Sequence, residues 1–173
     1  MGDERVPGPA LLMMGVLASS EYVATEVQSR VENIFGPLSR KTESVPFERF
    51  TRYYEREMGP GLLKSYWVLE EPVVMGALVE AKLATNRIER ETGMDGKRTV
   101  NLDPGLLTPE SLVLATTKPY SHRLYISKGI YCELTFMFRK DGGVDLMPWT
   151  YPDYRDSATI EFFTRVRKEV LLS

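Results

Sequence analysis

The chain has one cysteine and one histidine in 173 residues, no excess of either charge sign, and no apolar run long enough to cross a bilayer. Cys132 alone excludes an internal disulfide and a cysteine-rich metal cage, which fits a reducing cytoplasm. With His122 the only imidazole and no paired cysteines, His122 with scattered carboxylates is the only ligand set left for a metal, which argues against a typical zinc site. The 22 basic and 24 acidic residues leave a net charge of -2, so no global field draws in nucleic acid or an anionic membrane. Three motifs are missing as well. There is no G-x-x-x-x-G-K-[ST] loop, since Met94-Asp95-Gly96-Lys97 offers a single glycine before its lysine, no dinucleotide fingerprint, and no G-x-S-x-G elbow. Cys132 falls in an apolar stretch where burial raises a thiol pKa and keeps it inert.

Hydrophobic content of 43% over this length suits one well-filled core, so residues 10–173 read as a single domain behind a loose leader at 1–9. PALLMMGVLASS (9–20) imitates a signal peptide, but Asp3 and Glu4 outnumber Arg5 where positive charge is needed. Leu11 to Ala18 reads as a first buried strand. Ser19 or Ser20 then caps a helix whose Val23, Val27, Val31 and Ile34 recur at helical spacing, and Gly36-Pro37 ends it. Val45 to Tyr54 and Leu63 to Leu69 read as strands. A helix follows from about Val73 to Thr92, with Leu78, Ala81, Thr85 and Ile88 inside and Lys82, Asn86 and Glu89 on another face, and then a short strand from Arg98 to Leu102. That order, β-α-β-β-α-β, predicts an α+β fold with a ferredoxin-like core.

The second half extends this core. Thr108 and Pro109 predict a short helix toward Ala115; Ser127-Lys128-Gly129 and Asp141-Gly142 predict turns of an antiparallel β-meander; and a C-terminal helix presents Ile160, Phe163, Val166 and Val170. A three-residue first turn sets Ile126 against Ile130, Tyr125 against Tyr131, Leu124 against Cys132, Arg123 against Glu133 and His122 against Leu134. One side of the hairpin is then apolar. The other carries Arg123, Tyr125, Tyr131, Glu133 and Thr135, while His122 falls on the apolar side, where a hydrogen-bonded structural histidine is expected ahead of a catalytic one.

Polar and aromatic residues are unusually dense from Lys97 to Arg155, in KRTVNLDPG, LATTKPYSHRLYISKGIY and PWTYPDYR. With TRYYEREMG (51–59) and AKLATN (81–86), these motifs resemble those of DUF4416, a family of small bacterial and archaeal proteins of unknown function. The resemblance spans nearly the whole chain and implies one shared polar surface, without assigning a reaction.

From the residues, the expected activity is binding of a small phosphate- or carboxylate-bearing anion, with hydrolase or transferase chemistry as its enzymatic form. Lys118 and Arg123 would hold the anion, Tyr125 and Tyr131 flank it, Arg155 line the pocket, and Asp103 or Glu133 supply acid-base chemistry. The chain's own patterns carry two alternatives. One is a non-catalytic partner-binding or structural protein, in which Asn101-Leu102-Asp103-Pro104-Gly105 braces a turn and Trp149 and Tyr151 cover the core. The other is an RNA-binding module stacking bases on Tyr53, Tyr66 and Tyr125, against which the acidic balance counts. No cofactor is indicated.

Overall fold

A computed structural model describes residues 2–4, 7–94 and 96–172. Of the leader at 1–9, Met1, Arg5 and Val6 lie outside the described residues, as does Asp95 of the Met94 to Lys97 segment. Among the described residues the fold mixes helix and strand, with four α-helices and one nine-stranded antiparallel sheet. Its strands are β1 (Ala10–Ala18), β2 (Leu38–Lys41), β3 (Val45–Pro46), β4 (Leu63–Val73), β5 (Val100–Leu107), β6 (Ser111–Thr116), β7 (Leu124–Ser127), β8 (Ile130–Phe138) and β9 (Val144–Leu146). They run in the order β2-β4-β1-β5-β6-β8-β7, with β3 also on β4 and β9 also on β8.

Every residue of β1 is buried because both faces of the sheet are covered. Leu12, Met14 and Val16 point to α1 (Glu21–Phe35) and α3 (Ala77–Glu91), meeting Val27, Val31, Leu78 and Ile88. Leu11 and Met13 point the other way, to Phe162, Phe163 and Val166 of α4 (Ser157–Val166). A third cluster forms where Leu17 meets Phe47, Met58 and Leu62. Ser20 caps α1 by accepting from the Val23 N–H at 3.3 Å, and Gly36 ends it at φ 90°. Ile34 is exposed, however, and Ala24 takes the inner position on that helix.

Four segments depart from expectation. Val45 to Tyr54 is not a strand: after the two-residue β3 it turns through a 3₁₀ segment, Phe47–Arg49, into the short helix α2 (Glu55–Met58). Pro46 has no N–H to extend a ladder, and Phe47, Phe50 and Tyr54, at three- and four-residue spacing, pack together in the third cluster. The strand at Leu38–Lys41 takes the second position instead, and pairs with β4. The helix placed at 108–115 does not form. Thr108 does accept from the N–H groups of Glu110 and Ser111, at 3.1 and 3.0 Å, but that cap closes a turn into β6, where buried Leu112 and Leu114 each lie in register with β5 on one side and β8 on the other. Finally, Asp103-Pro104-Gly105 is no turn; β5 runs straight through it to Leu107.

The hairpin register is close to expectation. Leu124 faces Cys132 and Tyr125 faces Tyr131, but Ile126 bulges, so Ser127 faces Ile130 across a two-residue turn with Lys128 and Gly129 at φ 50° and 76°. Its two sides do not separate into core and solvent. Leu124 and Ile126 are exposed, whereas Glu133 and Thr135 are buried beneath the 147–155 segment, which bonds β8 through Trp149 Nε1 to the Leu134 carbonyl and Thr150 Oγ1 to the Thr135 carbonyl.

At Gly105, β5 is packed tightly against both β6 and β1. A Cβ there would lie 2.6 Å from the Val113 carbonyl oxygen and 2.8 Å from both Leu114 Cδ2 and Met13 Sδ. Gly105→Ala should therefore cost about 1–3 kcal/mol, a fall in Tm of roughly 3–10 °C by differential scanning fluorimetry. An unchanged Tm would show that β6 is not packed on this position.

Candidate functional site

The sheet forks between β5 and β6. The two pair only from Gly105 opposite Leu114 to Leu107 opposite Leu112; before Gly105, β5 pairs with β1 alone, and after Leu114, β6 pairs with β8 alone. Pro104 stands at the parting point, where the β6 ladder has ended, and Lys118-Pro119 carries the other branch away. Parting leaves Leu102 with a backbone N–H and C=O that no strand takes. Two side chains of α3 take them instead: Glu89 Oε1 accepts from the N–H at 2.7 Å, and Lys82 Nζ donates to the carbonyl at 2.9 Å. The fork opens as a cleft of about 610 Å³.

Its α3 wall is a connected polar network. Lys82 also lies 3.4 Å from Asp103 Oδ1, whose other oxygen accepts from Asn101 Nδ2 at 2.7 Å. Arg98 donates to Asn101 at 2.8 Å, to Glu89 at 3.0 Å and to Glu57 at 2.6 Å. Burial pushes the Glu89 carboxyl above its ordinary value despite Lys82, while the Arg98 hydrogen bond pulls that of Glu57 below. Asp103 keeps a third of its side chain exposed to the cleft.

The floor is built around Lys64, on the β4 face that also carries Tyr66 and Val68. Its ammonium lies 3.0 Å from Asp153, each side chain only 5% exposed, and the rings of Phe47, Tyr66 and Tyr154 surround it at 5.0 to 5.9 Å. Tyr66 donates to the same Asp153 oxygen at 2.8 Å. The hydroxyl of Tyr154 is buried without any partner among the described residues, in space that exists because residue 15 is glycine: a Cβ there would stand 2.5 Å from that oxygen and 3.1 Å from Lys64 Nζ. Burial, followed by the charge of Asp153, raises the Tyr66 and Tyr154 phenols far above their ordinary value, so both remain donors.

The rim belongs to the loop after β6 and to the 147–155 segment. Buried Glu133 accepts from Arg123 Nε at 2.6 Å and stands 3.2 Å from His122 Nε2. Arg123 also donates to the Tyr151 hydroxyl at 2.8 Å and to the Lys118 carbonyl at 3.0 Å, and its guanidinium lies over the Tyr120 ring. Burial, then Glu133, pushes the Tyr151 phenol up to about 12; burial and Glu133 likewise raise the Cys132 thiol. Lys118 is exposed, and no ion pair joins it to the described residues.

Of the residues expected at a site, Asp103, Lys118, Arg123 and Glu133 line this one cleft. The other three lie outside it. Arg155 is spent on backbone carbonyls, those of Thr150, Met147 and Pro148, because the 147–155 segment folds back on itself. Tyr125 and Tyr131 face each other in the expected register and stack edge to face at 5.3 Å, further toward the turn than Glu133, and do not line the cleft. Tyr53, Tyr66 and Tyr125 form no stacking platform, since Tyr66 is buried on Asp153 and only Tyr53 is an exposed cleft residue. His122 is not a core histidine; its side chain is 21% exposed and faces the cleft.

Sequence reasoning missed Lys64, Lys82, Glu89, Arg98 and Tyr154. A signal was present for three of them. Lys64 alternates in phase with Tyr66 and Val68 in a segment read as a strand, and Lys82 and Glu89 are seven residues apart on one face of α3.

A family model described as "Domain of unknown function (DUF4416)" matches residues 8–169, and the chain belongs to that family. No curated protein and no solved structure matches it. The unpartnered hydroxyl gives a test of the floor: since a buried, unsatisfied hydroxyl costs about 1–3 kcal/mol, Tyr154→Phe should melt at or above the wild-type temperature. A fall of more than roughly 3 °C, about 1 kcal/mol in a domain of this size, would mean that the hydroxyl is bonded in the unliganded protein.

Proposed function

We propose that this DUF4416 protein binds a small phosphate- or carboxylate-bearing ligand in the β5–β6 cleft and acts on it as a hydrolase or transferase. The observation that carries the reading is the sign of the cleft. Six lysine and arginine side chains line it against four carboxylates, a positive excess within a chain whose net charge is -2. Low-dielectric walls concentrate such an excess on the space between them. Arg123 and Lys82 are already held by carboxylates and carbonyls, which fixes them as walls, while Lys118 and the hydroxyls of Thr116 and Thr117 stand at the branch of the fork. Lys118 and Arg90 are the lining cations without an ion pair among the described residues, and Lys118 is the one that stands at the fork beside Thr116 and Thr117. Asp103, partly exposed beside Lys82, is the carboxylate within reach of a ligand.

The first half supports the ferredoxin-like reading, because its strands lie in the order β2-β4-β1-β5 with α1 and α3 on one face. A cytoplasmic setting is part of the proposal and rests on the single cysteine; among the described residues no helix is long and apolar enough to cross a membrane. A second reading, a non-catalytic partner-binding protein, draws on the edge strand β7, where Leu124, Tyr125 and Ile126 are exposed.

Thermal-shift assays with inorganic phosphate, nucleoside monophosphates, sugar phosphates and citrate separate the two. A ligand at a hundred times its Kd adds about 2.7 kcal/mol, a Tm rise of roughly 5–10 °C. Lys118→Ala, an exposed substitution, should leave the unliganded Tm within about 2 °C and abolish that rise. A screen flat for every anion would overturn the ligand reading and favour the β7 edge.

A further inference from the structure

We infer that His122 is the proton-transferring residue of the cleft, with Nδ1 as the working atom and Glu133 and Arg123 as positioning residues; this rests on the ligand reading above. The argument begins at Glu133, whose side chain is 2% exposed on β8 and is therefore closed to a ligand. Its Oε2 receives Arg123 Nε at 2.6 Å and stands 3.2 Å from His122 Nε2. Arginine remains protonated, so the carboxylate it holds has no hydrogen to offer. Nε2 must then carry the ring hydrogen, and the lone pair of the neutral imidazole falls on Nδ1.

Nδ1 is free to use it. It makes no hydrogen bond within the described residues, and the polar side-chain atoms sealed off without a partner are those of Thr135 and Tyr154, not His122. The ring itself cannot wander. It stacks on Trp149 at 4.8 Å and 16° and on Tyr120 at 6.0 Å and 20°, and Trp149 is fixed by its bond to the Leu134 carbonyl at 2.8 Å. A base held in place before the ligand arrives needs little reorganisation during reaction. Asp103 is less suited, since Lys82 and Asn101 already occupy its two oxygens.

In hydrolysis of a bound phosphate ester or carboxylic ester, Nδ1 takes a proton from water as the water oxygen bonds to the phosphorus or carbonyl carbon. The resulting imidazolium keeps its Nε2–H on Glu133, whose charge balances it. The bond to the leaving oxygen breaks, that oxygen receives the proton from Nδ1, and the ring returns to neutral. Water is the only co-reactant. Glu133 on β8, Tyr120 on its own loop and Trp149 touch the ring, and Arg123, Tyr151 and Lys118 line the same cleft.

Long-range ¹H–¹⁵N spectra of protein labelled in histidine and lysine, with inorganic phosphate as the probe, test this. In its neutral form His122 should show the Nε2–H tautomer, and phosphate should shift Nδ1 and the Lys118 ammonium along one saturation curve. A purely structural histidine would hold the tautomer but leave Nδ1 unmoved. An Nδ1–H tautomer, or a silent Nδ1 while Lys118 titrates, overturns the inference and leaves anion binding standing. If neither group responds to phosphate, the ligand reading fails and the role of His122 fails with it. Glu133→Gln, whose amide can donate to Nε2, should let the Nδ1–H tautomer appear; retention of Nε2–H alone in a folded variant would contradict the positioning role of Glu133.

Discussion

The backbone of Leu102 is the constraint on which the rest of the molecule turns. A buried N–H and C=O must be bonded, and in a sheet the neighbouring strand ordinarily bonds them. Here β6 has already parted from β5, and α3 supplies Glu89 and Lys82 in its place. The exchange has two consequences. It lets the sheet remain open at its centre without an unsatisfied edge, and it draws two charged side chains to the mouth of the opening. Lys82 then orients Asp103, while Glu89 orients Arg98, so the wall of the cleft follows from the same two bonds that close the strand.

Charges this enclosed are costly unless paired, and nearly all of those in the cleft are paired. Lys64 has Asp153, Lys82 has Asp103, Arg123 has Glu133, and Arg98 has Glu89. A hydrophobic filling of the same space would serve stability as well or better, which makes an arrangement of four ion pairs around a cavity hard to explain by folding alone. The exceptions point the same way. Lys118 and Arg90 have no carboxylate partner among the described residues, and the Tyr154 hydroxyl is buried without a hydrogen-bond partner among them. A fold tolerates such groups at sites where something else is meant to meet them.

How much of this was legible in the sequence depended on whether local chemistry or distant pairing decided the outcome. Ser20 and Gly36 bound α1 as expected because caps are local. The pairing of Leu124 with Cys132 and Tyr125 with Tyr131 followed from turn geometry, even though Ile126 bulged. Thr108 kept its capping bonds yet began a strand, because Leu112 and Leu114 found partners on both sides that the local sequence does not name. Asp103-Pro104-Gly105 has the composition of a turn; only the end of the β6 ladder makes a proline acceptable in mid-sheet. The same limit governed the site. Asp103, Lys118, Arg123 and Glu133 were visible as chemistry, but that Lys82 and Glu89 of α3 would face Leu102 could not be read without the fork. Arg155 was set aside by a segment turned onto its own carbonyls, and Tyr125 and Tyr131, although paired as expected, lie too far toward the hairpin turn to line the cleft.

Native-state hydrogen exchange at the Leu102 amide tests the central claim most directly. If Glu89 rather than a strand holds that N–H, Glu89→Ala should strip its protection while Leu106 and Leu107, inside the β5–β6 ladder, exchange as slowly as before once any change in global stability is subtracted. Protection of Leu102 that survives Glu89→Ala unchanged would mean that β5 is paired there after all, and the fork and the cleft within it would have to be abandoned.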